Sequence, residues 1–551
     1  MTHPKTDSPA TDFSVALLEE FLALGVRDAV LSPGSRSQAL ALAAAEFERL
    51  GRLRLRVRID ERVGGFLALG LAVETERPVL IITTSGTATA NLHPAVLEAH
   101  HSGVPLIVLT GDRPEELRGI GSNQTTEQPG IFGAAVQRSW DVGAPTGAAG
   151  EAESARMLAR DALAAASRGP VHVNLSFREP LSGDLPVIEP TPVIEPVEII
   201  AGGFDTAAGG LLNPLVLTHR PGTVVIAGTG AGERAEQLAR DLDVPLLAEV
   251  ASGAHFGPNL VVAYRELLND PQFGGAVERA IVFGHPTLSR EVPALLQRDG
   301  VEVIVVRGAS PEDYNPGHRA TVVDGVVAEG GPGPRSWPGR WVAASRALAQ
   351  TDDVAPDPDA PAGEHAKAEL AAVRAKVTRR ALAEAVWRST WPHDRLVLGA
   401  SRLIRELDRT VTGKKIRVHA NRGLAGIDGT IATGIGIALG SEEKGTTRVL
   451  LGDLALLHDV GSLLFGVGEQ RPRIQVIVGN DRGGTIFSGL EVAQTAGQAF
   501  ERVLLTEQQV NVEQLAAAYG WDYVRVDTRG QLDQALTASL GPTIVEVPLP
   551  R

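Results

Sequence analysis

The sequence predicts three consecutive α/β domains with parallel sheets. Three observations point there. Short apolar runs of strand length alternate with stretches whose apolar residues recur at helical spacing, as in βαβ units. The turns that follow these runs are rich in Gly, Asp, Ser and Arg, the composition expected where parallel sheets bind ligands, at the carboxyl ends of their strands. The order of elements in the first third also returns in the last third. A length of 551 residues leaves room for about three domains of ordinary size.

The elements run as follows. Residues 1–11 read as a disordered tail and 13–24 as an amphipathic helix. Strand Asp28–Leu31 leads to the turn Ser32-Pro33-Gly34-Ser35-Arg36. Strand 53–59 ends on Asp60-Glu61, before a Gly/Ala-rich helix over 64–73 whose small residues suit close packing. Strand 78–82 leads to Thr84-Ser85-Gly86-Thr87 and a helix reaching Ala99. Strand 105–110 then ends on Gly111-Asp112-Arg113-Pro114. Strand 171–175 closes a first domain over 1–185.

Residues 186–200 read as an extended linker, with Pro-Val-Ile-Glu-Pro written twice. A central domain over 201–330 has strands Thr223–Ala227, 245–248, 280–283 and 301–306. Gly228, Gly230 and Gly232 follow its first strand, but Glu233 stands where a dinucleotide fingerprint needs its third glycine. A tight βα turn is the better account. A second linker region, 331–363, surrounds a short helix. The last domain, 364–551, opens with a helix over 366–391 and has strands at 396–398, 415–418, 449–451, 474–478, 523–526 and 543–547, with an apolar helix at 456–467.

Composition narrows the function. The chain is 43% hydrophobic, enough for large cores, and its net charge of −14 argues against a general nucleic-acid binder. Its cationic side chains are mostly Arg, suited to bidentate binding of carboxylate or phosphate. The absence of cysteine excludes disulfides, thiolate metal sites and Cys nucleophiles. No apolar run is long enough to span a membrane and the start lacks a signal peptide's apolar core, so a soluble cytoplasmic protein is expected.

The densest chemistry lies between Leu450 and Phe487. Two strands there end on Gly452-Asp453 and on Gly479-Asn480-Asp481-Arg482-Gly483-Gly484. Adjacent in a parallel sheet, these turns would unite two acidic side chains with the carbonyls and amides of a Gly-rich loop, a donor set for Mg²⁺ and a diphosphate. Two ordinary βα turns would give the same residue types. His93, His100, His101, His419 and His458 have neither metal-site nor triad spacing, and His100-His101 at a helix end suits capping or packing. Ser85 lacks the G-x-S-x-G context of a nucleophile.

The first and last domains echo one another. Asp60-Glu61, Gly70-Leu71-Ala72, Thr84-Ser85-Gly86 and Gly111-Asp112-Arg113 match Asp428-Gly429, Gly436-Ile437-Ala438, Gly452-Asp453 and Asn480-Asp481-Arg482 in order, as duplication would produce. With both halves in view the chain resembles the thiamine-diphosphate enzymes of the pyruvate-decarboxylase type. Within them it is most similar to the 2-succinyl-5-enolpyruvyl-6-hydroxy-3-cyclohexene-1-carboxylate synthases. SPGSRS (32–37), RIDERVGGFLALGLA (58–72), TTSGTATANLHPAVLEA (83–99), ANRGLAGIDGT (420–430), GDLALLHD (452–459) and NDRGGTIF (480–487) carry the resemblance, which covers nearly the whole chain.

The resemblance implies a pyrimidine-binding, a central and a diphosphate-binding domain. It implies decarboxylation of 2-oxoglutarate and conjugate addition of the succinyl carbanion equivalent to isochorismate, in menaquinone biosynthesis. Loss of CO₂ from a 2-oxo acid leaves a carbanion that no side chain can hold, so an electron-sink cofactor is needed. Glu61 matches the glutamate that hydrogen-bonds the aminopyrimidine ring. Ile427 matches the prop under the bent cofactor, and Gly452, Gly484 and Ile486 fall at further cofactor positions. Asp453, Asp481 and the Gly483 carbonyl match the ligands of Mg²⁺, with Mn²⁺ possible. Asp481 stands where relatives usually have Asn, and Asn480 remains an alternative ligand. Ser35, Arg36, Arg113, Asn123, Gln124 and Arg290 match substrate contacts, as do Ser401, Arg405, Arg422, Ile486 and Phe487. Glu61, Ser401, Arg405 and Arg422 form the implied catalytic set. Glu291 stands where the relatives carry a second cation after Arg290. Because Glu61 and Asp453 lie in different domains, the cofactor must bridge them; in the family it bridges two chains of a homodimer or homotetramer. Another thiamine-diphosphate 2-oxo acid decarboxylase or carboligase, and a non-catalytic sensor of the same fold, are the alternatives.

Overall fold

The structure is a computed structural model that describes residues 6–188, 214–331, 333–349, 362–537 and 539–551. The expected linker at 186–200 lies outside the described residues beyond Ile188, as do residues 350–361 of the second linker region.

Three parallel sheets carry the chain. The first joins β1 (Asp28–Leu31), β2 (Arg54–Val57), β3 (Val79–Thr83), β4 (Leu106–Asp112), β5 (Ser139–Val142) and β6 (Val171–Ser176) in the order β2-β1-β3-β4-β6-β5. The central part has a two-stranded ribbon of β7 (Leu215–Leu217) and β13 (Val326–Ala328). Beside it lies a sheet of β8 (Thr223–Ala227), β9 (Leu246–Ala248), β10 (Arg279–Phe283), β11 (Glu302–Val306) and β12 (Thr321–Val323), ordered β12-β11-β10-β8-β9. The last sheet joins β14 (Arg395–Leu398), β15 (Arg417–His419), β16 (Thr447–Gly452), β17 (Ile474–Asn480), β18 (Asp522–Arg525) and β19 (Thr543–Pro548) in the order β15-β14-β16-β17-β19-β18. Counted within its own domain, the last order equals the first, as duplication requires. Strands β3 and β4 are buried along their whole length, which is why they read as unbroken apolar runs.

The outer domains meet through two helices, Glu61–Thr75 and Thr430–Gly440, both apolar on nearly every face. Their contact is closer than side chains permit. A Cβ on Gly70 would lie 2.1 Å from the Thr433 carbonyl oxygen, and one on Gly436 would lie 2.3 Å from that of Leu67. Charged groups rivet the same junction. Arg58 pairs with Glu469 at 2.6 Å, and Arg62 donates to the His458 carbonyl at 2.9 Å. In the central part Gly228 is forced by packing, since a Cβ there would sit 2.0 Å from the Pro286 nitrogen.

Several boundaries differ from expectation. The first helix is Pro9–Ala23, capped by Ser8, so residues 9–11 belong to it rather than to a tail. The helix expected over 366–391 is two, Ala362–Arg374 and Arg379–Ser389, because Thr378 caps the second. The apolar helix expected at 456–467 is instead Asp453–His458 followed by a short 3₁₀ turn, Val460–Leu463. Asp459 breaks it, since its carboxylate accepts the Ile431 and Ala432 amides and so caps the interdomain helix. Helix Ser336–Ala349, within the second linker region, buries Trp341 against the central sheet. Among the described residues no helix is long and apolar enough to cross a membrane.

Candidate active site

At the carboxyl ends of β16 and β17 the two predicted acidic turns do lie side by side. Asp453 opens its helix, and burial followed by the charge of Asp481 raises its carboxyl group to about 6. Two carboxylates crowded together inside a protein call for a cation, and the Gly483 amide already bonds Asp453. All three contacts of Asp481 converge on Oδ2, from Arg379 Nη2 at 2.8 Å, Arg379 Nε at 3.3 Å and the Thr485 hydroxyl, leaving Oδ1 for a metal. Asn480 is otherwise engaged: its amide donates to Glu546 at 2.6 Å and its oxygen takes the Arg482 amide. Beside the carboxylates the space facing the α-carbon of Gly452 is open, whereas Gly483 turns with φ +134 against Leu505. Gly484 lies against the Phe487 ring, and Ile486 and Phe487 are half-buried in the turn Thr485–Gly489. Among the described residues no group of three or more His, Cys, Asp or Glu side chains forms a metal site. A metal here would need the backbone and a ligand's oxygens besides the two aspartates, which a diphosphate supplies.

The carboxyl ends of the first sheet hold cations. The Arg36 guanidinium donates to the Phe177 carbonyl at 3.0 Å, and that of Arg113 donates to the Ser85 hydroxyl and, at 2.7 Å, to the Gln124 carbonyl. Burial, then the charge of Arg36, lowers Arg113. Two guanidiniums held mostly by neutral acceptors make an anion site. Gln124 is locked in by a reciprocal bond to the Ser85 carbonyl; among the described residues Asn123 shows only a carbonyl contact with Thr125, and Ser35 only one with Gln38.

A second cationic pair belongs to the last domain. Ser401 caps helix Arg402–Thr410, and Arg405, one turn on, donates to the Ser401 carbonyl at 3.0 Å. Arg422 is buried and donates to the Thr287 hydroxyl at 2.6 and 2.9 Å. Burial lowers both guanidiniums, and each is lowered further by a neighbouring guanidinium: Arg265 for Arg405, Arg405 for Arg422. The loop carrying Arg422 is held by Glu98 of the first domain, whose carboxylate takes the Gly423 and Leu424 amides at 2.7 and 2.8 Å. Arg290 stands apart, paired at the surface with Glu491 at 3.0 Å.

Glu61 is the first residue of its helix, capped by Asp60, and accepts a bond from Asn91 at 3.2 Å. Among the described residues no hydrogen bond or ion pair joins Glu61 to Asp453 or Asp481. Ile427 is 41% exposed, and Ile59, Ile120 and Leu424 are also exposed. Of the histidines, His458 gives its carbonyl to Arg62, His419 lies 3.5 Å from Glu74, and the His100 and His101 rings meet edge to face. Sequence reasoning missed Glu98, Glu249, Thr287, Arg379 and Asp408. Their partners lie far along the chain; Glu98 stood inside the TTSGTATANLHPAVLEA stretch (83–99) and Thr287 three residues before Arg290, but neither was given a role.

Comparison with known proteins bears on the same residues. Residues 12–134 match the family described as thiamine pyrophosphate enzyme, N-terminal TPP binding domain, and residues 409–547 match the corresponding C-terminal TPP binding domain. The chain is 57% identical to the 2-succinyl-5-enolpyruvyl-6-hydroxy-3-cyclohexene-1-carboxylate synthase of Leifsonia xyli subsp. xyli, with 100% of this chain and 98% of that protein covered. It is 56% identical to the synthase of that name from Clavibacter michiganensis subsp. michiganensis, over 100% and 98%. It is 44% identical to that of Kineococcus radiotolerans, over 96% and 94%.

Proposed function

The chain belongs to the 2-succinyl-5-enolpyruvyl-6-hydroxy-3-cyclohexene-1-carboxylate synthase family of thiamine-diphosphate enzymes, and from that premise we propose what each group of residues does. The protein is a transferase of menaquinone biosynthesis that uses thiamine diphosphate. Its substrates in this reading are 2-oxoglutarate and isochorismate. The observation that carries the assignment is the full-length identity of 57%.

Thiamine diphosphate, when bound, supplies the sink for the electron pair left as CO₂ departs. Asp453, Asp481 through its open oxygen, and the Gly483 carbonyl hold Mg²⁺, or Mn²⁺, against the diphosphate. The mutual crowding of the two aspartates supports this, and the engagement of Asn480 with Glu546 speaks for Asp481 over Asn480. Gly452 leaves room for the cofactor, Gly484 lets the turn close against Phe487 beside it, and Ile427 and Ile486 give the cofactor apolar support. Glu61 holds a proton at the aminopyrimidine ring.

Both substrates are dianions, and two cationic pairs answer them. Ser401, Arg405 and Arg422 bind and orient one carboxylate beside the reacting carbon. Ser35, Arg36, Arg113, Asn123 and Gln124 form the opposing wall, with Phe487 and Ile486 excluding water. Arg290 contributes a more distant charge. The domains divide at 1–185, 201–330 and 364–551. The protein is a cytoplasmic homodimer or homotetramer in which Glu61 of one chain completes the site of another. The exposed apolar side chains of Ile59, Ile120, Leu424 and Ile427 support that sharing.

The test is consumption of 2-oxoglutarate with thiamine diphosphate and Mg²⁺, with and without isochorismate, following the adduct by mass spectrometry. Rapid consumption that depends on isochorismate is expected, and turnover of pyruvate instead would refute the assignment. Sharing is tested by mixing Glu61→Gln and Asp453→Ala proteins, each inactive alone. Random subunit exchange in a dimer with shared sites restores about a quarter of wild-type activity, whereas sites contained within one chain restore none.

A further inference from the structure

Glu249 follows β9 and is buried between the central sheet and helix Arg402–Thr410. Its Oε1 accepts the amides of Thr287 and Leu288, both at 2.6 Å. Its Oε2 is buried with no hydrogen-bond partner among the described residues. The amides it fixes belong to the segment whose Thr287 receives Arg422. The contrast with its neighbour is sharp. Asp408, also fully buried, is fully supplied with donors: the Val250 amide and the Tyr264 hydroxyl at 2.7 Å each, and Arg265.

We propose that Glu249 is a positioning residue for the reaction: through the Thr287 and Leu288 amides it seats Arg422 on the Thr287 segment, and its second oxygen, bonded to no guanidinium, leaves the charges of Arg405 and Arg422 to the substrate's carboxylate. This rests on the reading of those two arginines as substrate-binding. The charged and titratable groups that face Glu249 are Asp408 and Arg405 from helix Arg402–Thr410, Arg422 from the loop after β15, Tyr264 and Arg265 from the central domain, and Tyr314. Burial first, and then Asp408, pushes the Glu249 carboxyl group upward, while the two amides and Arg422 pull the other way. A protonated Glu249 makes no claim on the guanidiniums. An ionised one competes for them with the incoming substrate.

A carboxyl group held above its ordinary range is neutral below its folded pKa and ionises as pH rises through it. The KM for 2-oxoglutarate of the holoenzyme therefore rises several-fold between about pH 7 and about pH 9, with kcat changing less. Glu249→Gln keeps an oxygen for the Thr287 and Leu288 amides and cannot ionise, so its KM stays flat over that range. Glu249→Ala loses the acceptor and has a raised KM throughout. Thiamine-diphosphate binding, followed by fluorescence quenching, stays at the wild-type level in both variants if they are folded. Should Glu249→Gln not bind the cofactor, Thr287→Val takes its place, with raised KM and an unchanged pH slope expected. A glutamine variant whose KM tracks wild type at every pH overturns the proposal, as does a wild-type KM that does not change. Absence of wild-type turnover on 2-oxoglutarate at any pH defeats the functional reading itself, and the proposal with it.

Discussion

At the end of β4, the fourth strand of the first sheet, stands Asp112; just past β17, the fourth strand of the last sheet, stands Asp481. The two sheets have one strand order, so the two carboxylates stand at corresponding strand ends, one residue apart in register, and their surroundings are opposed. Asp112 is fully buried and closed by Arg118 at 2.9 Å, by Asn174 at 3.0 Å and by the Arg113 amide at 2.7 Å. Asp481 has one oxygen occupied and faces a second carboxylate. The turn before each differs as well. Ser85 after β3 accepts a guanidinium, whereas Asp453 after β16 adds a charge. Corresponding strand ends thus serve an anion-binding wall in the first domain and a cation-binding floor in the last. The neutralising partners decide which, and the topology does not.

The comparison is broken most severely at the floor. Asp453→Ala should lower turnover by at least about 100-fold and abolish Mg²⁺-dependent binding of thiamine diphosphate, read by fluorescence quenching. Asp112→Ala should leave cofactor binding intact and instead destabilise the protein by about 1–3 kcal/mol, since the buried Asn174 amide and the Arg113 N–H lose their acceptor while Arg118 keeps Asp141; denaturant unfolding checks it. If Asp112→Ala lost cofactor affinity as Asp453→Ala does, the two positions would not be chemically distinct.

At the wall the expected effect is smaller. Arg113→Lys keeps the charge and loses the forked geometry, so KM for a dianionic substrate should rise about 10-fold while cofactor affinity is unchanged. Steady-state kinetics with each substrate varied in turn would show which of them the wall receives.

The smallest effect is one of pH on the metal-free protein. Asp453 is raised to about 6, above the value of about 4 for an unfolded Asp. Its contribution to stability is full below that lower value and is lost as pH rises through about 6. Thermal unfolding without divalent metal should therefore show a downward drift across that window that Asp453→Asn lacks, and Mg²⁺ added above it should raise the transition temperature. A drift equal in both proteins would assign the effect to other groups.

The legible part of this molecule was local. Alternating apolar runs gave the long strands, and Gly-Asp turns marked the ends of β16 and β17, because strand burial and turn chemistry are written in adjacent residues. The short strands β5, β7, β12 and β13 escaped, being only three or four residues long and partly exposed. The break after His458 escaped because the amides that occupy Asp459 are those of Ile431 and Ala432. The same distance hid Glu249 and Glu98. Glu98 takes its donors from the last domain and Glu249 from a loop 38 and 39 residues further along its own domain, so neither pairing is written in adjacent residues.

The crossing of Gly70 with Thr433 and of Gly436 with Leu67 leaves the joint between the outer domains without adjustable parts. A bulkier residue on either helix meets the opposite main chain, not a side chain that a second substitution could trim. A suppressor screen begun from Gly70→Val or Gly436→Val would recover reversion to glycine and few compensating changes across the seam. The two halves are therefore bound to drift as a single inherited block, and chimaeras between relatives should tolerate exchange of the central domain more readily than exchange of either outer one.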